Sequence, residues 1–285
     1  MSGNNRIFAR LSLAMLLIIT AGLVCGFVPV KAAGVTAYSS SQSSYDINDD
    51  GKTDTISVAQ PGSSNNYSGR LYINGKKLFE FPSKTYGLGC RYRIITLKNG
   101  KRFILLSAVG ANPGISDDVL LQYTKNGKIK KIISFRSALG IFGGAGFISD
   151  NSSTSGSDRA VQVSGNTVTI YYSKMLWTTG AVPLKFKFTY KNGTLKRTSY
   201  KGDVVRMKGY ITSKNLQTYK KTNKNTKSVL FKKNTTVYVN KYYLKGSKMW
   251  LQLSDSSGRS GWIKCLTKNP GGSGSPYFSN GFYAS

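Results

Sequence analysis

Nine consecutive residues carry the oxygen spacing of a cation loop. Asp46-Ile47-Asn48-Asp49-Asp50-Gly51-Lys52-Thr53-Asp54 reads D-x-N-x-D-G-x-x-D. Side-chain oxygens of Asp46, Asn48, Asp50 and Asp54, with the backbone carbonyl of Lys52, can converge on one hard cation, and Gly51 permits the sharp turn. Calcium takes six to eight such oxygens, whereas magnesium demands a stricter octahedron. An EF-hand would need a bidentate glutamate at its twelfth position, and here that residue is Ser57. Thr55-Ile56-Ser57-Val58 then reads as a strand, not a helix. The same residues without a metal would form an Asx-rich turn. Four ligating side chains at this spacing, with the glycine in place, favour Ca2+.

Little else in the chain suits catalysis. It contains no histidine, which excludes Ser-His-Asp and Cys-His relays, His-ligated zinc and imidazole acid/base chemistry. Glu80 is the one glutamate, and neither Ser-x-x-Lys nor Gly-x-Ser-x-Gly occurs. Gly140-Ile141-Phe142-Gly143-Gly144-Ala145-Gly146 lacks the Lys-Ser/Thr of a P-loop and reads as a bulge or a close strand approach. Asp117-Asp118 follows Asn112-Pro113-Gly114 and is expected in a loop or turn; in a strand, neighbouring carboxylates would face opposite ways. The expectation is a non-enzymatic protein.

Two resemblances bear on the rest. The Asp46–Asp54 loop with its following strand resembles the calcium loops of FG-GAP and VCBS repeats, which lie between strands of propeller-like units; the resemblance implies a structural metal. Residues 208–264 resemble bacterial Src-homology-3-like domains through Lys208-Gly209-Tyr210-Ile211-Thr212, Val229 to Val239, Trp250-Leu251-Gln252-Leu253 and Gly258-Arg259-Ser260-Gly261-Trp262-Ile263. That resemblance implies a small β-barrel whose aromatic groove takes peptidoglycan peptides. Where the family has an Asn-Val-Arg start, this chain has Leu216-Gln217-Thr218-Tyr219-Lys220-Lys221. The expected ligand-binding residues are Tyr219, Trp250 and Trp262, with Lys232 and Lys233. For the tryptophans, core packing is the competing role.

Strands joined by tight turns must position these groups. Asn-Gly occurs at Asn74-Gly75, Asn99-Gly100, Asn126-Gly127 and Asn192-Gly193, each flanked by β-rich sequence, which predicts type I′ hairpins; Ser164-Gly165-Asn166 reads similarly. Their loose spacing suits a β-meander or a few propeller-like blades. Leu184-Lys185-Phe186-Lys187-Phe188-Thr189-Tyr190 alternates at period two, with one face buried and one solvated. The fold class is all-β: a β-rich domain over 34–200, then the barrel over 206–268. Ser39 to Ser44 reads as a mobile lead-in, and the Gly/Ser/Pro-rich stretch 269–285 as a flexible tail.

Arg6, Arg10, the apolar run Leu11 to Val30 and Val30-Lys31-Ala32-Ala33 read as a signal peptide over residues 1–33, cleaved after Ala32 or Ala33. A retained membrane anchor and a lipoprotein attached through Cys25 are the alternatives. Cleavage leaves Cys90 and Cys265, either bridging or buried as free thiols. The formal charge is +30, and +27 without residues 1–33. Residues 201–285 hold 16 basic and 2 acidic side chains, against 22 and 9 over 34–200. Tyr238, Tyr242 and Tyr243 could stack on bases, yet export disfavours nucleic acid. The polyanions outside a bacterium are wall polymers. The expectation is a secreted or wall-associated protein binding peptidoglycan or teichoic acid, with no membrane span after signal cleavage. A wall hydrolase or its accessory, and a secreted protein-binding or inhibitor module, are the other readings.

Overall fold

The computed structural model describes residues 33–35, 42–59, 69–81, 87–110, 117–139, 146–148, 161–204, 209–223, 226–272 and 274–281. Residues 1–32 of the predicted signal peptide 1–33, Asn112-Pro113-Gly114 and residues 140–145 of the glycine run lie outside them.

After a two-residue strand β1 (Gly34–Val35), the chain lays down three antiparallel meanders in succession. The first is β2 (Ser43–Tyr45), β3 (Asp54–Val58), β4 (Arg70–Ile73) and β5 (Lys76–Glu80). The second is β6 (Gly87–Thr96), β7 (Arg102–Gly110), β8 (Asp117–Tyr123) and β9 (Ile129–Ser134), with β1 on the free edge of β6 and one helical turn, α1 (Phe135–Leu139), after β9. The third is β10 (Gly146–Ile148), β11 (Val161–Ser164), β12 (Thr167–Leu176), β13 (Gly180–Lys191) and β14 (Thr194–Arg197), with β10 and β11 both pairing with β12. The all-β expectation holds, and consecutive meanders account for the spacing of the turns.

The second meander is the central layer, and the sequence of β7 shows why. Phe103-Ile104-Leu105-Leu106 is apolar without alternation, as a strand buried on both faces must be. Tyr92, Ile94, Ile104, Leu106, Val119 and Leu121 pack on one side with Ile56, Leu71 and Ile73 of the first meander. Ile95, Phe103, Leu105 and Leu120 pack on the other with Val168, Ile170, Phe186 and Phe188 of the third. In β13 the predicted alternation is present: Leu184, Phe186, Phe188 and Tyr190 are buried, while Lys185, Lys187 and Thr189 face away from the core.

A fourth sheet follows: β15 (Lys201–Asp203), β16 (Gly209–Ile211), β17 (Leu216–Tyr219), β18 (Lys227–Phe231), β19 (Thr236–Lys245), β20 (Lys248–Ser254) and β21 (Ser260–Lys264). Its order is β15-β19-β20-β21-β17-β18, with β16 also on β19. Residues 209–219 therefore reach both sides of the β19-β20-β21 meander, β16 at β19 and β17 at β21. Among the described residues the hydrogen-bonded ring is not closed into a barrel.

The change of sheet near residues 200–208 is not a break in the core. One buried cluster runs from Ile95 to Phe278. The Tyr242 hydroxyl donates to the Lys185 carbonyl at 2.7 Å, and its ring lies 4.9 Å from that of Phe186. Arg197 lies 4.7 Å over Phe186 and donates to the carbonyls of Leu244 and Tyr200.

Three local expectations are corrected. Only Asn74-Gly75 and Asn192-Gly193 have positive φ at both residues. At Asn99-Gly100 and Asn126-Gly127 the glycine alone is left-handed. Gly100 N–H donates to Leu97 O and Gly127 N–H to Thr124 O, giving longer loops with the glycine as a bulge. Ser43 and Ser44, read as part of a mobile lead-in, pair with Ile56 and Thr55. Residues 275–280, expected to be flexible, are docked: Phe278 is buried against Tyr210, Ser279 N–H donates to Ile211 O, and Ser275 Oγ–H donates to Thr178 O. Composition reports chain stiffness, and the exposed edge of β16 supplied the partner.

Candidate functional site

The Asp46–Asp54 loop is held by hydrogen bonds to its own backbone. Asp46 Oδ1 and Asn48 Oδ1 both accept the Asp50 N–H, at 3.1 Å each, and Asp50 Oδ1 accepts the Lys52 N–H at 2.8 Å. Asp49 and Gly51 turn the chain with φ of 57° and 86°. The Lys52 N–H, then the Asn48 amide, hold the Asp50 carboxyl below its ordinary range. Asp54 is different: it is buried, and its oxygens accept from Ile47 N–H and Asn74 Nδ2. Asp54 thus serves the turn, while Asp46 and Asn48 are partly and Asp50 fully exposed.

A cation already stands beside this loop. The Arg102 side chain, 9% exposed, places Nη1 3.2 Å from Asp49 Oδ1 and 3.9 Å from Asp46 Oδ2. Its angle to these oxygens does not make a hydrogen bond, so Nη1 is buried beside charge without a directed acceptor. Burial lowers the Arg102 pKa. Among the described residues, no three carboxylate, thiol or imidazole side chains converge closely enough to hold an ion by themselves. A cation here would need the Asn48 amide and the Lys52 carbonyl as well.

The aromatic residues form a second assembly, on the outer face of the fourth sheet. Met249, Leu251, Leu253 and Ile263 of β20 and β21 point into the core. The alternation places Trp250, Gln252, Trp262 and Lys264 on the other side. Cross-strand register then builds two rows. Lys201, Tyr243, Trp250 and Lys264 stand opposite one another across β15, β19, β20 and β21. Asp203, Lys241, Gln252, Trp262, Tyr219 and Lys227 do the same across β15, β19, β20, β21, β17 and β18. A bulge between Val239 and Lys241 keeps Tyr242 inward and Tyr243 outward.

The geometry unites Tyr219, Trp250 and Trp262 but separates them from Lys232 and Lys233. The rings of Tyr219 and Trp250 meet edge to face, 6.4 Å between centroids. Trp250 and Trp262 are 4% and 7% exposed, so each offers a ligand only a ring margin. Tyr219 is half-buried. Lys232 and Lys233 sit in the exposed turn after β18, beside Leu216, whereas Tyr219 pairs with Lys227 at the far end of that hairpin. The lysines that share the aromatic face are Lys201, Lys227, Lys241 and Lys264. Extending the alternation of Trp250-Leu251-Gln252-Leu253 across neighbouring strands would have identified them, had the register been known.

Two other groups, the cysteines and the paired aspartates, lie in the core or within a strand. Cys90 and Cys265 are buried and form no disulfide with each other, and burial pushes the Cys90 thiol up to about 12. Asp117 and Asp118 lie within β8, not in a loop; Asp118 is buried and accepts from Ser107 Oγ–H at 2.5 Å. No helix among the described residues is long and apolar enough to cross a membrane. Comparison of the chain with protein-family models, curated proteins and solved structures returned no match.

Proposed function

We propose that this protein is an exported, non-catalytic binder of an anionic bacterial envelope polymer, acting through the outer face of its fourth sheet. The observation that carries the reading is the pair of cross-strand rows, in which four lysines flank Tyr243, Trp250, Trp262 and Tyr219 and Asp203 is the one acid. Ammonium groups attract a phosphate-bearing chain at long range, and aromatic margins add short-range contact to its sugar or peptide parts. The likeness of residues 208–264 to Src-homology-3-like wall domains points the same way. The Asp46–Asp54 loop is proposed as a structural Ca2+ site, remote in role from the polymer.

Co-sedimentation of the full chain with purified sacculi, with and without teichoic acid, tests this. Retention should require teichoic acid and fall steeply as salt rises, because the Debye length shrinks from about 8 Å to about 3 Å between physiological and 1 M salt. Lys241→Glu with Lys264→Glu should abolish retention, whereas Lys232→Glu with Lys233→Glu should weaken it modestly. Equal losses in the two double variants, or no retention of the folded chain at low salt, would refute the assignment.

A further inference from the structure

Beside the aromatic face, the third and fourth sheets enclose a cleft of about 210 Å³ lined by Lys185, Lys187, Thr198, Ser199, Lys201, Gly202, Asp203 and Tyr242. Its origin is topological. β14 pairs with the far end of β13, as Phe188 opposite Arg197, and Leu184 bridges Val204 at the near end. Thr198 still donates its N–H to the Lys187 carbonyl, but residues 201–203 pair with β19 instead of β13, leaving a gap beside the outward lysines of β13. Tyr242 closes the floor through its bond to the Lys185 carbonyl. Gly202 allows this, since a Cβ there would meet the Tyr242 hydroxyl oxygen at 2.4 Å.

The lining is chemically one-sided. Three lysines and one aspartate line it, and no ion pair within 4 Å joins Asp203 to any of the three among the described residues. The Lys185 ammonium lies 5.7 Å over the ring of Tyr171, its cross-strand partner on β12, so its stem borders the cleft while its charge sits to one side. Thr198 Oγ–H is given to the Lys187 carbonyl, but Ser199 Oγ accepts the Lys201 N–H and keeps its own proton to donate. The volume is below the range of about 300–1,000 Å³ usual for drug-sized ligands. It suits one small anionic group with some of its water.

We propose that this cleft is an oxyanion site that takes one phosphoryl group of a phosphate-bearing polymer. The proposal rests on the polyanion reading above and deepens it. Lys201 belongs both to the cleft and to the row Lys201-Tyr243-Trp250-Lys264, so a chain seated by one phosphate in the cleft continues onto the aromatic face. Asp203 opposes a bare phosphate and can accept a hydrogen bond from a hydroxyl or ammonium group of the adjoining unit.

Titration calorimetry of the full chain with inorganic phosphate and with glycerol 3-phosphate, at low ionic strength, tests the site. Both should bind at one site per chain. Lys187→Gln should weaken each at least about fivefold, the effect of one unit charge near 4 Å in water. Asp203→Asn should tighten inorganic phosphate about threefold. Lys232→Gln with Lys233→Gln, which removes two charges elsewhere, should leave both affinities unchanged. Loss of phosphate binding in that remote variant equal to the loss in Lys187→Gln, or no saturable binding at all, overturns the site. Retention on teichoic-acid-bearing walls separates the two sources of phosphate. If Lys187→Gln abolishes phosphate binding but not wall retention, the cleft serves free phosphate and its part in polymer binding is refuted, while the aromatic-face reading stands. If phosphate binds as expected but no chain sediments with walls, the aromatic-face reading fails and the cleft remains.

Discussion

At the scale of single residues, two carboxylates are held below their ordinary range by different partners. Asp50 is exposed and aimed inward on its loop by the N–H of Lys52. If that loop takes calcium, a chelator should lower the melting temperature of the wild type, and Asp50→Ala should abolish the response. A ligand at a hundredfold excess over Kd stabilises by about 2.7 kcal/mol. Identical melts with and without chelator would remove the metal. Asp255, in the turn between β20 and β21, accepts from Ser257 N–H, Ser257 Oγ–H, Arg259 N–H and the Arg259 guanidinium. Burial opposes its charge, but these bonds prevail and hold the carboxyl below its ordinary range. A carboxyl depressed in the folded state contributes stability above its unfolded pKa of about 3.9, and that contribution is lost as pH falls through the lower folded value. The urea midpoint should therefore be flat from about pH 7 to 5 and drop below about pH 4. Asp255→Asn should start lower and lose less on acidification; an unchanged acid slope would show that another group dominates.

At the scale of elements, alternation was legible and pairing was not. Leu184 to Tyr190 announces which side of β13 is buried, because side chains on a strand have a period of two. Nothing in that segment says that its buried face meets Tyr242, 57 residues after Lys185. The same gap explains the binding residues: Trp250 and Trp262 stand out by type, whereas Lys201, Lys241 and Lys264 gain significance only from register. Arg102 was equally hidden, since its meeting with Asp49 depends on how two meanders stack. The turns were half legible. Every Asn-Gly marked a reversal, but loop length selected between two hairpin geometries. Asn192-Gly193 is the informative case, with φ of 50° and 76°. Gly193→Val should cost about 1–3 kcal/mol, because a β-branched residue resists positive φ. An unchanged denaturation midpoint would contradict the primed turn.

At the scale of the whole molecule, residues 34–281 fall within one compact unit whose largest buried cluster crosses the predicted domain boundary. Phe278 belongs to that cluster and packs 5.1 Å from Tyr210. Phe278→Ala should destabilise by about 3–5 kcal/mol, the usual cost of emptying a buried aromatic site. It should do so in one transition, with tryptophan fluorescence and far-ultraviolet dichroism coinciding; two separated transitions would mean that the fourth sheet unfolds alone.

The docked segment 275–280 also fixes the order in which the fold can be completed. Ser275 reaches back 97 residues to Thr178, and Asn280 spans 69 residues to Ile211. During synthesis the first two meanders can pair from neighbouring sequence, but the edge of β16 stays unpaired until the very late residues emerge. Contacts of such separation form slowly, and an unpaired edge is a template for intermolecular pairing. Nascent chains halted before residue 275 should therefore be the aggregation-prone species, so that the pace of synthesis, as much as the stability of the finished fold, sets the yield of soluble protein.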